Sequence, residues 1–250
     1  MLTLFRKIRQ KLLTQNKVTQ YLIYAIGEIF LVVIGILIAL QINNWNEEKK
    51  KTAQMITNIK SISEDIRTDI NEIQKANQTL RKQVEAAQNI IPIMESKERL
   101  ITDSLEFIMD FNAFTSTPII ASQATTWDFL NSSGVVSEFP DAELLKLLQE
   151  YYSSYNSIVT NFTNSGNPVR LELRELKYEL FTDSEHRKFF PTTSPKAPSI
   201  EVYNSIFSDE RILPLCRFIG STANYFQNSF SSVENKGENI IEYIREKYKE

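Results

Sequence analysis

Residues 21–42 form one apolar run in which only Glu28 and Gln41 are strongly polar. A helix rising about 1.5 Å per residue crosses the roughly 30 Å hydrocarbon layer with that length. The apolar core of a cleaved signal peptide is shorter, about 7 to 15 residues, and a small-residue cleavage pattern closes it. This run lacks such a pattern and is read as an uncleaved signal anchor. Between residues 45 and 91 there is no Gly or Pro. The positions Thr52, Met55, Ile59, Ile62, Ile66, Ile70, Ile73, Asn77, Leu80, Val84, Ala87 and Ile91 follow one another at steps of 3 or 4, with one stutter at Ile66 to Ile70. That spacing predicts a long helix, with Pro92 as its stop. Its seam either pairs with a second copy as a coiled coil, Asn77 fixing the register, or packs on the chain's own later helices. The intramolecular bundle is the expected arrangement, because those helices also need cover for their apolar faces.

The later segments read as helices too. Residues 99–111 carry Leu100, Ile101, Leu105, Ile108 and Phe111 at helical spacing, and "FTSTP" breaks the chain after them. Residues 121–131 run to Gly134, which suits a left-handed cap. Asp141 is placed to cap a helix bearing Leu144, Leu145, Leu148, Tyr151, Tyr152, Tyr155 and Val159. "NSGNP" at 164–168 predicts a turn before a helix over 169–181. Residues 182–199, with Pro191, Pro195 and Pro198, predict a Pro-rich loop, and helices return over 202–212, 213–232 and 238–249. The expected fold is all-α: a transmembrane helix continuing into a long helix and an extracytoplasmic helical bundle. Its parts are a basic amphipathic tail at 1–20, the span at 21–42, the seam helix at 43–91 and the bundle at 92–250.

Charge orients this arrangement. The chain is −3 overall, and residues 1–27 hold Arg6, Lys7, Arg9, Lys11 and Lys17 without an acid, which leaves −8 for the remainder. Positive residues mark the cytoplasmic side of a span, so the N-terminus is expected inside and the body periplasmic, with the chain in the inner membrane. Leu4, Phe5, Ile8 and Leu12 give the basic tail an apolar stripe for the anionic leaflet. Tyr21 and Trp45 sit at the two ends of the span, where amphipathic rings favour the interface. An acidic body lacks the clustered positive charge that nucleic acid requires, so none is expected as partner.

Within the span, Glu28 is the residue that needs a reason. A carboxylate at the middle of a bilayer costs roughly 2.5 to 3.5 kcal/mol even on the lenient insertion scale. Glu28, Val32, Gly35 and Ala39 share one helical face, and Gly35/Ala39 is a small-xxx-small pair that allows close backbone approach. The face therefore predicts association with a second copy or a partner's span. A tolerated lone carboxyl is the alternative reading. The stretch "YAIGEIFLVVIGILIALQINNWNEEKKK" resembles the N-terminal signature of an uncharacterised family of single-span membrane proteins, a domain of unknown function found in Bacteroidota. "TTWDFLNSSGVV" and "LLKLLQEYY" resemble the family further on, with Trp127 standing where a tyrosine is expected. The resemblance implies a membrane topology and compartment and carries no activity.

Catalytic signatures are sparse. His186 is the only histidine, in a charged stretch and expected at the surface, so neither a multi-histidine metal site nor a Ser-His-acid triad is available. The six glycines are unclustered, which excludes a phosphate-binding loop and a dinucleotide turn. Cys216, alone, is expected to be a small buried hydrophobe. No catalytic residue, metal or cofactor is assigned. Trp127, Phe129, Tyr151, Tyr152 and Tyr155 are either core or the lining of a ligand pocket, with Trp127, Tyr151 and Tyr152 as the candidates for the pocket. Two functions follow: a non-enzymatic envelope protein that binds a protein partner or ligand, or an envelope hydrolase using Glu64, Asp65 and Asp69 as its carboxylates.

Overall fold

The 3.6-residue period of apolar positions is realised as helices throughout, and no strand occurs among the described residues. The computed structural model describes residues 18–121, 124–189 and 194–248. The basic tail at 1–17 lies outside them, as does the side chain of Tyr21. Helix α1 is Val18–Glu95, followed by α2 (Ser104–Phe114), α3 (Thr125–Ser132), a 3-10 turn at Val135–Glu138, α4 (Ala142–Asn161) and α5 (Asn167–Leu180). Helices α6 (Asp183–Phe189), α7 (Ile200–Ser208) and α8 (Ile212–Tyr248) complete the chain. By contact density it divides into two units, the first ending at Thr57 and the second beginning at Asn58.

In the second unit, α1 buries Ile59, Ile62, Ile66, Asp69, Ile73, Ala76, Leu80 and Gln83. These positions alternate strictly between steps of 3 and 4. The stutter expected at Ile70 does not occur, because the seam passes through Asp69, a buried acid, and leaves Ile70 half-buried. Asn77 is buried in the same face and donates to Ser231 Oγ at 3.2 Å. The seam thus packs on the chain's own α4, α5 and α8. Helix α1 continues through Pro92 to Glu95. A proline removes one hydrogen bond, here in the last turn, where the final carbonyls lack intrahelical partners in any case; Ser96 N–H still bonds the Pro92 carbonyl at 3.1 Å. Phe107, Phe111, Phe114, Phe181 and Phe189 fill the core where α2, α5, α6, α7 and the first turns of α8 meet the end of α1.

Several boundaries differ from those expected. Helix α2 starts at Ser104 because Asp103 accepts from the amides of Leu105 and Glu106, and Leu100 stays exposed. Gly134 does adopt the left-handed conformation, at φ 75°. "NSGNP" makes no turn: residues 162–166 form one wide π-helical turn that joins α4 to α5. There the Asn167 N–H reaches back five residues to the Phe162 carbonyl. Pro168 has no N–H to give and would crowd the carbonyl four residues back in an ordinary turn, so the widened turn accommodates it. Residues 183–189 of the expected loop are helix α6: Thr182 Oγ accepts from Glu185 N–H at 3.2 Å, and Phe189 packs edge-on against Phe181.

Helix α8 is also continuous where two helices were expected. Gly220 lies on its buried face, and a Cβ added there would stand 2.5 Å from the Ala87 Cβ on α1. The missing side chain is what lets the two backbones approach. Gly220→Ala is expected to cost about 2 kcal/mol by overpacking, with Ala87→Gly in the same chain recovering part of it; paired urea titrations check both.

Asp141 caps α4 through the Leu144 amide at 3.1 Å, as expected, and also receives Tyr243, Tyr248 and Lys247 from the end of α8. Burial works to raise its pKa, but the bonds from Lys247, the Leu144 amide, Tyr248 and Tyr243 outweigh it and hold the carboxyl at about 2. The folded value lies below that of an unfolded aspartate near 4, so this stabilisation is complete above about pH 4 and is lost as pH falls through about 2. It amounts to about 2 kcal/mol. Thermal melts from pH 5 to 2 are expected to show a steep loss in the wild type and a shallower one in Asp141→Asn.

Candidate functional site

One helix among the described residues is long and apolar enough to cross a membrane. In the first unit, residues 22–42 are apolar apart from Glu28 and Gln41, and none of the most apolar window is buried. Glu28 is half-buried, while Val32, Gly35 and Ala39 are exposed along the same line of the helix. Gly35 has nothing within 4 Å of where a Cβ would project, so this stretch of the face is open. At the other end, Trp45 is exposed and Lys49 Nζ lies 3.8 Å from its ring centre, a cation–π pair next to the expected interface.

The second unit brings the predicted aromatics together and places them in the core. Trp127 stacks on Tyr152 with ring centres 5.2 Å apart and planes 11° from parallel. Tyr151 meets Tyr152 edge-on at 5.1 Å, and Tyr155 follows at 6.0 Å. All four rings are buried, whereas Phe129 is exposed. Tyr151 Oη donates to Asp69 Oδ2 at 3.2 Å. Burial first, then the Asp69 charge, pushes the phenols of Tyr151, Tyr152 and Tyr155 well above the ordinary tyrosine range. They stay protonated, as packing groups with one polar handle.

The acids weighed for a hydrolase have structural partners. Asp65 Oδ2 accepts from the Thr126 amide at 3.0 Å, at the positive end of α3, and Asp69 Oδ2 accepts from Tyr151 Oη. Glu64 lies exposed, 3.8 Å from Arg67. Among the described residues no group of three His, Cys, Asp or Glu side chains is placed to hold a metal ion. His186 is half-buried rather than at the surface, its ring between Tyr178 and Phe189, and burial lowers its pKa.

The inner face of α5 carries a buried polar network that apolar periodicity does not mark. Arg170, Arg174 and Lys177 lie at steps of 4 and 3 on the inner face of α5. Arg170 is fully buried and gives two bonds to Gln83 Oε1, at 3.0 and 2.7 Å, and one to the Gly166 carbonyl at 2.7 Å. Gln83 in turn donates to the carbonyls of Ala113 and Ser116, while Arg174 bonds the Thr115 carbonyl at 2.9 and 2.6 Å. Lys177 Nζ bonds Asn112 Oδ1 at 2.7 Å and Thr115 Oγ at 3.1 Å. Arg174 and the Gln83 amide thus supply backbone carbonyls at and just past the C-terminus of α2, the negative end of that helix, while Lys177 bonds side chains there and Arg170 orients Gln83. Burial lowers Arg170 to about 10, and burial with the Arg174 charge lowers Lys177 to about 8. The signal available in the sequence was basic residues sharing a helical face with Leu173.

A search of the curated proteins found no match, and neither did a search of the solved structures. The model of one protein family, described as a family of unknown function (DUF6090), matches residues 28–202, from Glu28 in the apolar segment through α1 to α6 and into α7. The chain belongs to that family.

Proposed function

We propose that this protein is a single-span membrane protein whose folded body works by binding a protein partner or a ligand in the cell envelope, without catalysis. Its N-terminus lies in the cytoplasm and its body outside, in the orientation the five basic residues of the tail favour. One observation carries the reading: an apolar helical segment of spanning length, unburied, with an acid, a glycine and an alanine on one face. An exposed apolar surface of that size requires lipid or another protein. The engagement of Asp65 with a backbone amide, and of Asp69 with Tyr151, supports binding over hydrolysis.

In the membrane, the Glu28/Val32/Gly35/Ala39 face packs on a second span, either another copy or a partner. The test is cross-linking in native membranes with Gly35→Leu and Glu28→Ala. Cross-linked product is expected to fall about tenfold with Gly35→Leu, because the bulky side chain prevents close helix approach. Unchanged recovery in both variants would contradict the association, whichever the partner.

A further inference from the structure

Helices α4 and α8 pack extensively against each other. Their outer faces bound a groove of about 500 Å³, lined by Ser154, Ser157, Asn161, Tyr225, Asn228 and Ser232 over a floor of Ile158 and Val233. It is bridged at both ends: Asn161 Nδ2 donates to Tyr225 Oη at 3.3 Å, and Lys236 Nζ donates to Ser154 Oγ at 2.7 Å. Beside it the surface of α4 continues with Ser153, Asn156 and Thr160.

This surface is poor in charge. Residues 151–169 and 218–233 contain no Asp, Glu, Lys or Arg, although 24% of the chain is charged. Folding lays these two neutral stretches side by side, with Lys236 the one charged residue in the lining. Ser157, Asn228 and Ser232 are exposed, and their side chains have no hydrogen-bond partner among the described residues. Tyr225 is 53% exposed; its ring meets Phe226 edge-on at 5.1 Å and its hydroxyl accepts from Asn161 across the groove.

These features select a ligand class. An anionic ligand would meet a single ammonium already engaged by Ser154, and an apolar peptide would strip water from the serine and asparagine groups without replacing it. A neutral polyhydroxyl chain supplies both donors and acceptors, and its C–H faces stack on an exposed aromatic ring. We propose that the α4/α8 groove binds a neutral glycan, with Tyr225 stacking on a sugar face while Ser157, Asn228 and Ser232 bond its hydroxyl or acetamido groups. The assignment rests on the reading of the body as a binding module and names its ligand class.

The test uses the full chain in lipid nanodiscs on immobilised neutral tetrasaccharides of glucose, mannose and N-acetylglucosamine, with a tetragalacturonate as the acidic counterpart. Saturable binding to at least one neutral tetrasaccharide is expected. Affinity should be at least tenfold weaker for Tyr225→Ala and several-fold weaker for Asn228→Ala, with unchanged melting curves, and Tyr225→Phe should retain most of it. No saturable neutral binding, equal binding by Tyr225→Ala, or tighter binding of the acidic tetramer would overturn the proposal. If a protein partner still cross-links while no glycan binds, the groove assignment alone falls and the binding reading of the body stands.

Discussion

Replacing Gln83 with leucine, nearly the same in volume, is expected to lower stability by about 3–5 kcal/mol, among the larger losses a single substitution produces. The side chain is fully buried and serves two ends of the network at once. Its oxygen takes two bonds from the Arg170 guanidinium, and its amide nitrogen supplies the Ala113 and Ser116 carbonyls at 3.1 and 2.7 Å. Leucine fills the space but leaves a buried cation with the Gly166 carbonyl as its remaining hydrogen-bond acceptor, and takes the Gln83 amide from both carbonyls. The asymmetry between making and losing such bonds sets the size of the effect. Urea titration of the full chain in detergent micelles measures it, and a loss below about 1 kcal/mol would mean that water reaches the network.

The second large effect lies in the aromatic cluster. Tyr152→Ala should cost about 3–5 kcal/mol, since it empties a buried ring site between Trp127 and Tyr151. Tyr152→Phe should change stability by less than about 0.5 kcal/mol, because the hydroxyl has no hydrogen-bond partner among the described residues. The pair separates a core role from a pocket role. Pocket-lining rings would tolerate alanine with little loss of stability and would show their effect on ligand binding instead.

What could be read from the sequence, and what could not, follows from how each element is specified. The apolar helix of spanning length, its long continuation and the Asp141 cap were legible because apolar period and capping chemistry are local. The buried seam runs through Asp69 and Gln83 rather than Ile70 and Val84, and polar residues on a buried face leave no mark in the apolar period. Both are buried because partners far along the chain, Tyr151 and Arg170, satisfy them. Helix α6 was hidden by neighbouring prolines, although Thr182 and Glu185 stand at capping-box spacing. The π turn and the unbroken α8 depend on tertiary packing, which lets Gly and Pro stay within helices where local propensity alone would end them. The neutral groove consists of two stretches more than 45 residues apart, so only the packing of α4 against α8 shows it.

As proposed, the chain crosses the membrane once, with its body outside. Cys216 is fully buried and burial raises its thiol above the usual range, so the wild-type chain should not react with a membrane-impermeant maleimide and serves as the blank. Single cysteines are then introduced as Thr3→Cys and, at an exposed position of α6, Ser184→Cys, and intact cells are labelled. Labelling is expected at Ser184→Cys, and none at Thr3→Cys until the cells are lysed. Labelling at Thr3→Cys with protection of Ser184→Cys, or protection of both until lysis, would contradict it.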